Sequence, residues 1–164
     1  MQLLKYIELD RWRLFDALRG FLGGTLSILL LLQLTHSTHH LWIMAPFGAT
    51  CVLLYAAPSS PLAQPKNVIL GHLIAATVGL VFLQLFVVKA LTIAIAVGIA
   101  IALMQLLKCI HPPAGANPLL ILLTSQQVDY DWSFLIFPVL LGAITLVLVA
   151  KFMDLFIRYL RRSN

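Results

Sequence analysis

Two short stretches carry the residue types best suited to chemistry. One is PFGAT, from Pro46 to Thr50, and the other is HPPAGAN, from His111 to Asn117. Proline is excluded from helix interiors but suits the first turn, where its missing N–H is not needed. Pro46 and Pro113 are therefore expected to start helices. A helix start presents free N–H groups and a partial positive charge of about half a unit. Two such starts facing each other make an anion site without a fixed cation. Gly48, Ala49, Gly115 and Ala116 are small enough for a ligand to approach the backbone, and Thr50 and Asn117 stand at matching positions to donate hydrogen bonds. His111, beside Pro112 at the mouth of the second stretch, carries an imidazole whose ordinary pKa of about 6.5 suits proton movement with an anion. It equally suits a cap that orders the loop. The structural alternative for both stretches is a pair of packing kinks covered by neighbouring helices.

Outside these stretches the chemistry is sparser. His72 lies inside an apolar segment, where an ionisable residue is a functional candidate unless it merely reaches the interface. Gln64 and Asn67 flank Pro65 and either line a cytoplasmic entrance, with His72 as a proton-coupling partner, or tie the loop. His36, His39 and His40 have loose spacing and no accompanying carboxylate or cysteine, so no metal site is expected. Gln33, Gln84 and Gln105 bridge helices or face a pore, and spacing does not decide which. Cys51 and Cys109 fall in or beside apolar segments and read as packing residues rather than a disulfide framework. Asp129 and Asp131 share a loop and read as solvated. No nucleophile–base pair, phosphate loop or paired carboxylate is present, so neither an enzyme nor a cofactor is expected.

The elements that must position these residues follow from composition. Of 164 residues 61% are hydrophobic and 10% charged, against about 25% charged in soluble domains. Only a membrane disposes of so much apolar surface, and the expected class is an all-α membrane protein. The net charge of +5 is no nucleic-acid signature. Lys5, Arg11, Arg13 and Arg19 gather at one end and Lys151, Arg158, Arg161 and Arg162 at the other, which marks both termini as cytoplasmic. No cleavable signal peptide stands out.

Residues 1–16 alternate charged and apolar side chains, as in an interfacial amphipathic helix, with a frayed tail as the alternative. A single transmembrane domain is expected over 17–157, followed by a basic cytoplasmic tail at 158–164. Full spans are expected at 17–34, 67–88, 90–107 and 133–157, with Gly20, Gly23 and Gly24 allowing close contact along the first. One helix from 67 to 107 would run about 60 Å against roughly 30 Å of hydrocarbon, so the chain turns back near Lys89. The stretches at 42–57 and 111–125 are apolar but interrupted. The result is four full transmembrane helices plus two interrupted half-helix segments.

A constant shift pairs Pro46 with Pro113, Gly48 with Gly115, Ala49 with Ala116 and Leu53 with Leu120. Repeat halves at about 17–88 and 90–157 follow. If each half crosses three times, the repeat is inverted and two half-helix starts meet near the midplane, as in secondary transporters. If the interrupted segments dip and return, the repeat is parallel. Placing Lys66 and Lys108 inside favours six crossings over four.

HPPAGA at 111–116 and PLAQPKNVILGH at 61–72 resemble the HPP family of small bacterial and plastid membrane proteins, over about residues 17–157. Family descriptions count four transmembrane helices. Members are linked to nitrite transport, so the resemblance implies a transporter or channel for a small monovalent anion in a bacterial inner membrane. Relatives often carry arginine where this chain has Lys66, which weakens any bidentate anion contact there. The competing expectation is a non-transporting membrane subunit that anchors or recruits a partner. Six short segments are thin for enclosing a solute path, so a homo-oligomer, a dimer first, is expected.

Overall fold

The computed structural model describes residues 11–162. Its helices are α1 (Arg11–Thr38), α2 (Pro46–Ala56), α3 (Pro65–Leu85), α4 (Ala90–Leu106), α5 (Asn117–Thr124) and α6 (Leu141–Arg162), with no strand among the described residues. Among the described residues, three stretches are long and apolar enough to cross a membrane: Arg13–Thr38, Pro65–Leu85 and Trp132–Tyr159. The segment expected as a fourth full span, α4, has 17 residues, roughly 26 Å of helix at 1.5 Å per residue. Large apolar side chains such as Phe21, Leu29, Leu91, Leu148 and Phe152 lie exposed on the outer surface, where only lipid suits them.

Most of the expected interfacial helix at 1–16 lies outside the described residues. Residues 11–16 continue straight into α1, because no proline or cap separates good helix formers there. At its other end α1 extends through the first four residues of the expected 35–40 loop. The Thr35 and Thr38 hydroxyls donate to the Leu31 and Leu34 carbonyls and hold the last turn, and His39 then ends the helix with a left-handed φ of 57°. Of the three glycines expected to bring helices together on α1, only Gly23 does so. A Cβ there would meet the Tyr55 ring of α2, while Gly20 and Gly24 face open space. Tyr55 completes that contact by a 2.6 Å hydrogen bond with Ser27.

Pro46 opens α2, as its type predicts. Pro112 and Pro113 open a 3₁₀ helix, Pro112–Ala116, rather than an α-helix, and it runs directly into α5, which begins at Asn117 with Pro118 in its first turn. Pro118 has the same fixed φ and needs no donor, so the α-helix starts at the later proline. The last span is also irregular at its start. Pro138 pushes the preceding Phe137 to extended backbone (φ −119°, ψ 118°), and regular α6 begins at Leu141.

α3 is the central helix and is far more deeply buried than α1. It touches α4, α5, α6 and the Pro112–Ala116 turn. The contact with α5 depends on Gly79, where a Cβ would lie 2.8 Å from Ile121 and 3.1 Å from the Pro118 Cα. The chain turns between Phe86 and Lys89, as expected, with Lys89 at the start of α4. The beginning of α1 and the end of α6 lie side by side, tied by Arg19 and Asp154 at 3.6 Å.

Candidate functional site

Four polar side chains meet where α2, α3, α5 and the loop before the 3₁₀ turn converge. Thr50, His72, His111 and Asn117 are each fully buried. Gly71 makes the meeting possible. A Cβ there would lie 2.8 Å from the His111 Cβ and 3.3 Å from the Cys109 carbonyl, so only glycine lets His111 lie against α3. On the other side, Phe47 packs edge-on to the His72 ring at 5.1 Å, and the two imidazoles sit 5.0 Å apart.

The hydrogen bonds define a direction. His111 Nδ1 lies 2.9 Å from the Leu62 carbonyl. A carbonyl oxygen only accepts, so Nδ1 carries the proton and Nε2 accepts. That nitrogen takes the Thr50 hydroxyl proton at 3.0 Å. The Thr50 oxygen then accepts from His72 Nε2–H at 2.8 Å. His72 Nδ1 is left as an acceptor and is met by the Asn117 amide nitrogen at 3.2 Å, whose second hydrogen goes to the His72 carbonyl at 2.9 Å. One assignment of protons runs from Asn117 through His72, Thr50 and His111 to Leu62; the Thr50 hydroxyl also lies 3.3 Å from the Pro46 carbonyl, and Asn117 Oδ1, 3.4 Å from His72 Nδ1, receives no donor in it. A buried polar network fixes packing. An alternating chain of N–H and O–H donors between two imidazoles also has the form along which a proton can hop.

The predicted residues divide into two groups. Pro46, Thr50, His72, His111 and Asn117 are buried at or beside this relay. Thr50 and Asn117, matched by the internal repeat, both bond His72. Gly48 and Ala49 instead face outward, and Ala49, Pro112, Pro113 and Ala116 line an apolar surface groove of about 480 Å³. Gly115 is half-buried with open space beside it. Gln64 is exposed at the start of α3 and lines a different cleft, beside Arg19. The Asn67 amide donates to the Pro61 carbonyl at 3.0 Å and ties the loop.

The two helix starts also offer fewer free donors than expected. Phe47 and Gly48 N–H groups already donate to the Met44 and Ala45 carbonyls. Asn117 N–H donates to Ala114, and Pro118 has none. The space between the two starts holds the side chains of Phe47, His72 and His111. Sequence reasoning missed Phe47 and the Leu62 carbonyl. A backbone acceptor leaves no residue-type signal, and Phe47 reads as one more apolar residue.

Since a Cβ at Gly48 or Gly115 meets nothing within 4 Å, Gly48→Ala should stabilise the protein by about 0.5–1 kcal/mol through reduced unfolded-state freedom. Thermal unfolding in detergent measures this, and a lowered midpoint would show that the outward face of α2 is packed after all.

A family model described as HPP, transmembrane region, matches residues 9–161. Two proteins of Dictyostelium discoideum, both described as transmembrane proteins, are similar. One is 36% identical over 145 residues, covering 86% of this chain and 47% of its own length. The other is 35% identical over 120 residues, covering 71% of this chain and 42% of its own. The chain thus spans about half the length of these curated relatives. No solved structure matches.

Proposed function

This chain belongs to the HPP transmembrane family and is an integral membrane protein, and from that premise we propose that it is a transporter for a small monovalent anion, nitrite being the candidate. The observation that carries the proposal is the convergence of two broken helices on one buried, proton-ordered relay at Thr50, His72, His111 and Asn117. Helix breaks and intramembrane histidines are costly in lipid and are kept where a solute or proton path needs them. In this reading the relay is the closed gate of the path. An anion moving between α2 and α5 parts Thr50 from the histidines and takes up their N–H and O–H donors in exchange. Imidazole protonation then accompanies the ion. The donors are side-chain groups more than the bare helix starts expected from sequence.

The arrangement of charges supports six crossings with both termini cytoplasmic. Gln64 lies in a cleft with Arg19 and Lys151, which puts the loop before Lys66 at the face where α1 begins and α6 ends. Lys89 stands beyond the far end of α3. Both placements suit the positive-inside rule. A homodimer joined across the groove at Ala49 and Pro112 is the assembly we expect, and a detergent-corrected mass of one protomer rules it out.

The test is nitrite accumulation in proteoliposomes under an inward pH gradient. Thr50→Val keeps the shape and removes the hydroxyl that joins the two imidazoles. Its expected effect is a loss of about tenfold or more in gradient-driven accumulation, as for removal of a positioned proton-transfer group. Wild-type accumulation by a folded Thr50→Val protein would remove the relay from the path. If the wild-type protein itself carries no nitrite while a partner protein co-purifies with it, the anchoring-subunit reading takes over.

A further inference from the structure

A second polar site lies at the face where α1 begins and α6 ends. It is a cleft of about 170 Å³ between α1, α3 and α6, lined by Arg19, Gln64, Lys151 and Asp154 over an apolar floor of Ala63 and Val147. That volume holds a three-atom ion and several waters, at roughly 30 Å³ per water. The Arg19 side chain is only 15% exposed, yet among the described residues its charge is loosely met, by one contact to Asp154 at 3.6 Å. Asp154 is engaged more closely by Arg158 at 2.7 Å. Arg19 Nε is buried and has no hydrogen-bond partner among the described residues. A buried donor on a charged group is costly to leave unmet, so the position calls for an acceptor. Guanidinium carries its N–H groups in a planar fork that matches two oxygens of one oxoanion, and because Nε is sealed from solvent the side chain turns for Nε–H to join that fork. Lys151 adds a second cation, and Gln64 an amide donor. Arg19 and Lys151 against Asp154 leave the lining of the cleft net positive.

We propose that this cleft is a binding site for a singly charged oxoanion, held by the Arg19 fork with Lys151 and Gln64, at the cytoplasmic end of the path. It deepens the transport reading and rests on it only for which ion is carried. The same chemistry is offered by the phosphate of an anionic lipid headgroup, and the experiment separates the two sources.

The full chain, purified in lipid-free neutral detergent, is titrated with sodium nitrite, with sodium gluconate as the ionic-strength control. Binding is read by calorimetry and thermal shift. The expected result is saturable nitrite binding, weakened about tenfold or more in Arg19→Gln, where a bidentate charge-assisted contact is lost. Lys151→Gln, at an exposed position that leaves the α1–α6 ion pair intact, weakens it by about threefold. It keeps the test decisive if Arg19→Gln fails to fold. Stabilisation by phosphatidylglycerol with no response to nitrite assigns the cleft to a lipid headgroup and overturns the solute site. Equal nitrite binding in both variants overturns the cleft altogether. Flux in proteoliposomes is read separately. Nitrite flux with no cleft binding leaves the transport reading standing and the cleft rejected, whereas cleft binding without flux does the reverse.

Discussion

His72→Ala is expected to abolish the gradient-driven nitrite accumulation proposed for this protein and to lower its stability by about 3 kcal/mol, the sum of a buried unmet donor and a partly collapsed cavity. His72 is fully buried, and three of its atoms are hydrogen-bonded, both ring nitrogens and the carbonyl. Truncation strands the Asn117 amide, which loses its ring acceptor, and frees the Thr50 oxygen. It also opens a void against Phe47, whose ring edge rests on the imidazole. No other residue on α3 reaches both Thr50 and Asn117, so α2 and α5 lose their shared anchor. Asn117→Ala is the milder companion. It removes one partner of His72 and leaves the Thr50–His72–His111 chain intact, so accumulation should be reduced rather than lost. Thermal unfolding and proteoliposome uptake on the same preparations separate stability from transport. Full accumulation by a folded His72→Ala protein would show that the relay serves packing alone.

Gly142→Ala destabilises the protein by about 3 kcal/mol or more, at the upper end of what overpacking costs, and Gly142→Leu prevents it from assembling. Gly142 stands in the first turn of α6. A Cβ there would collide with the Phe47 ring and lie 2.7 Å from the Trp42 carbonyl. The carbonyl is backbone and cannot swing away. Phe47 is fully buried, and its displacement carries over to His72. One methyl group at Gly142 therefore disturbs the lead-in to α2 and the relay together. The sign is opposite to that at Gly48, though both glycines lie in the first turn of an apolar helix. The midpoint of thermal unfolding, with Trp42 fluorescence as a local probe, tests the contrast. A Gly142→Ala protein with the wild-type midpoint would mean that α6 can move away from the 42–46 lead-in at little cost.

Sequence by itself determined the features that are local. The membrane class follows from hydropathy, which is a property of each segment alone. The break at Pro46 and the turn near Lys89 follow from a missing N–H and from helix length against bilayer thickness. The HPP motif identified the family. The second half-helix starts as a 3₁₀ helix at Pro112 and becomes α-helical only at Asn117, because HPPAGANP offers helix-starting prolines at both places. Tertiary structure alone decided which polar residues meet. Thr50, His72 and the pair His111 and Asn117 come from three separate stretches. Their helices are apolar nearly all round, because lipid is as apolar as the protein core. No amphipathic stripe then tells which face of a helix points inward. For the same reason the sequence singled out Gly48 and Gly115 and passed over Gly71 and Gly142, and only the packed bundle sorted the glycines that face open space from those that hold the relay in place.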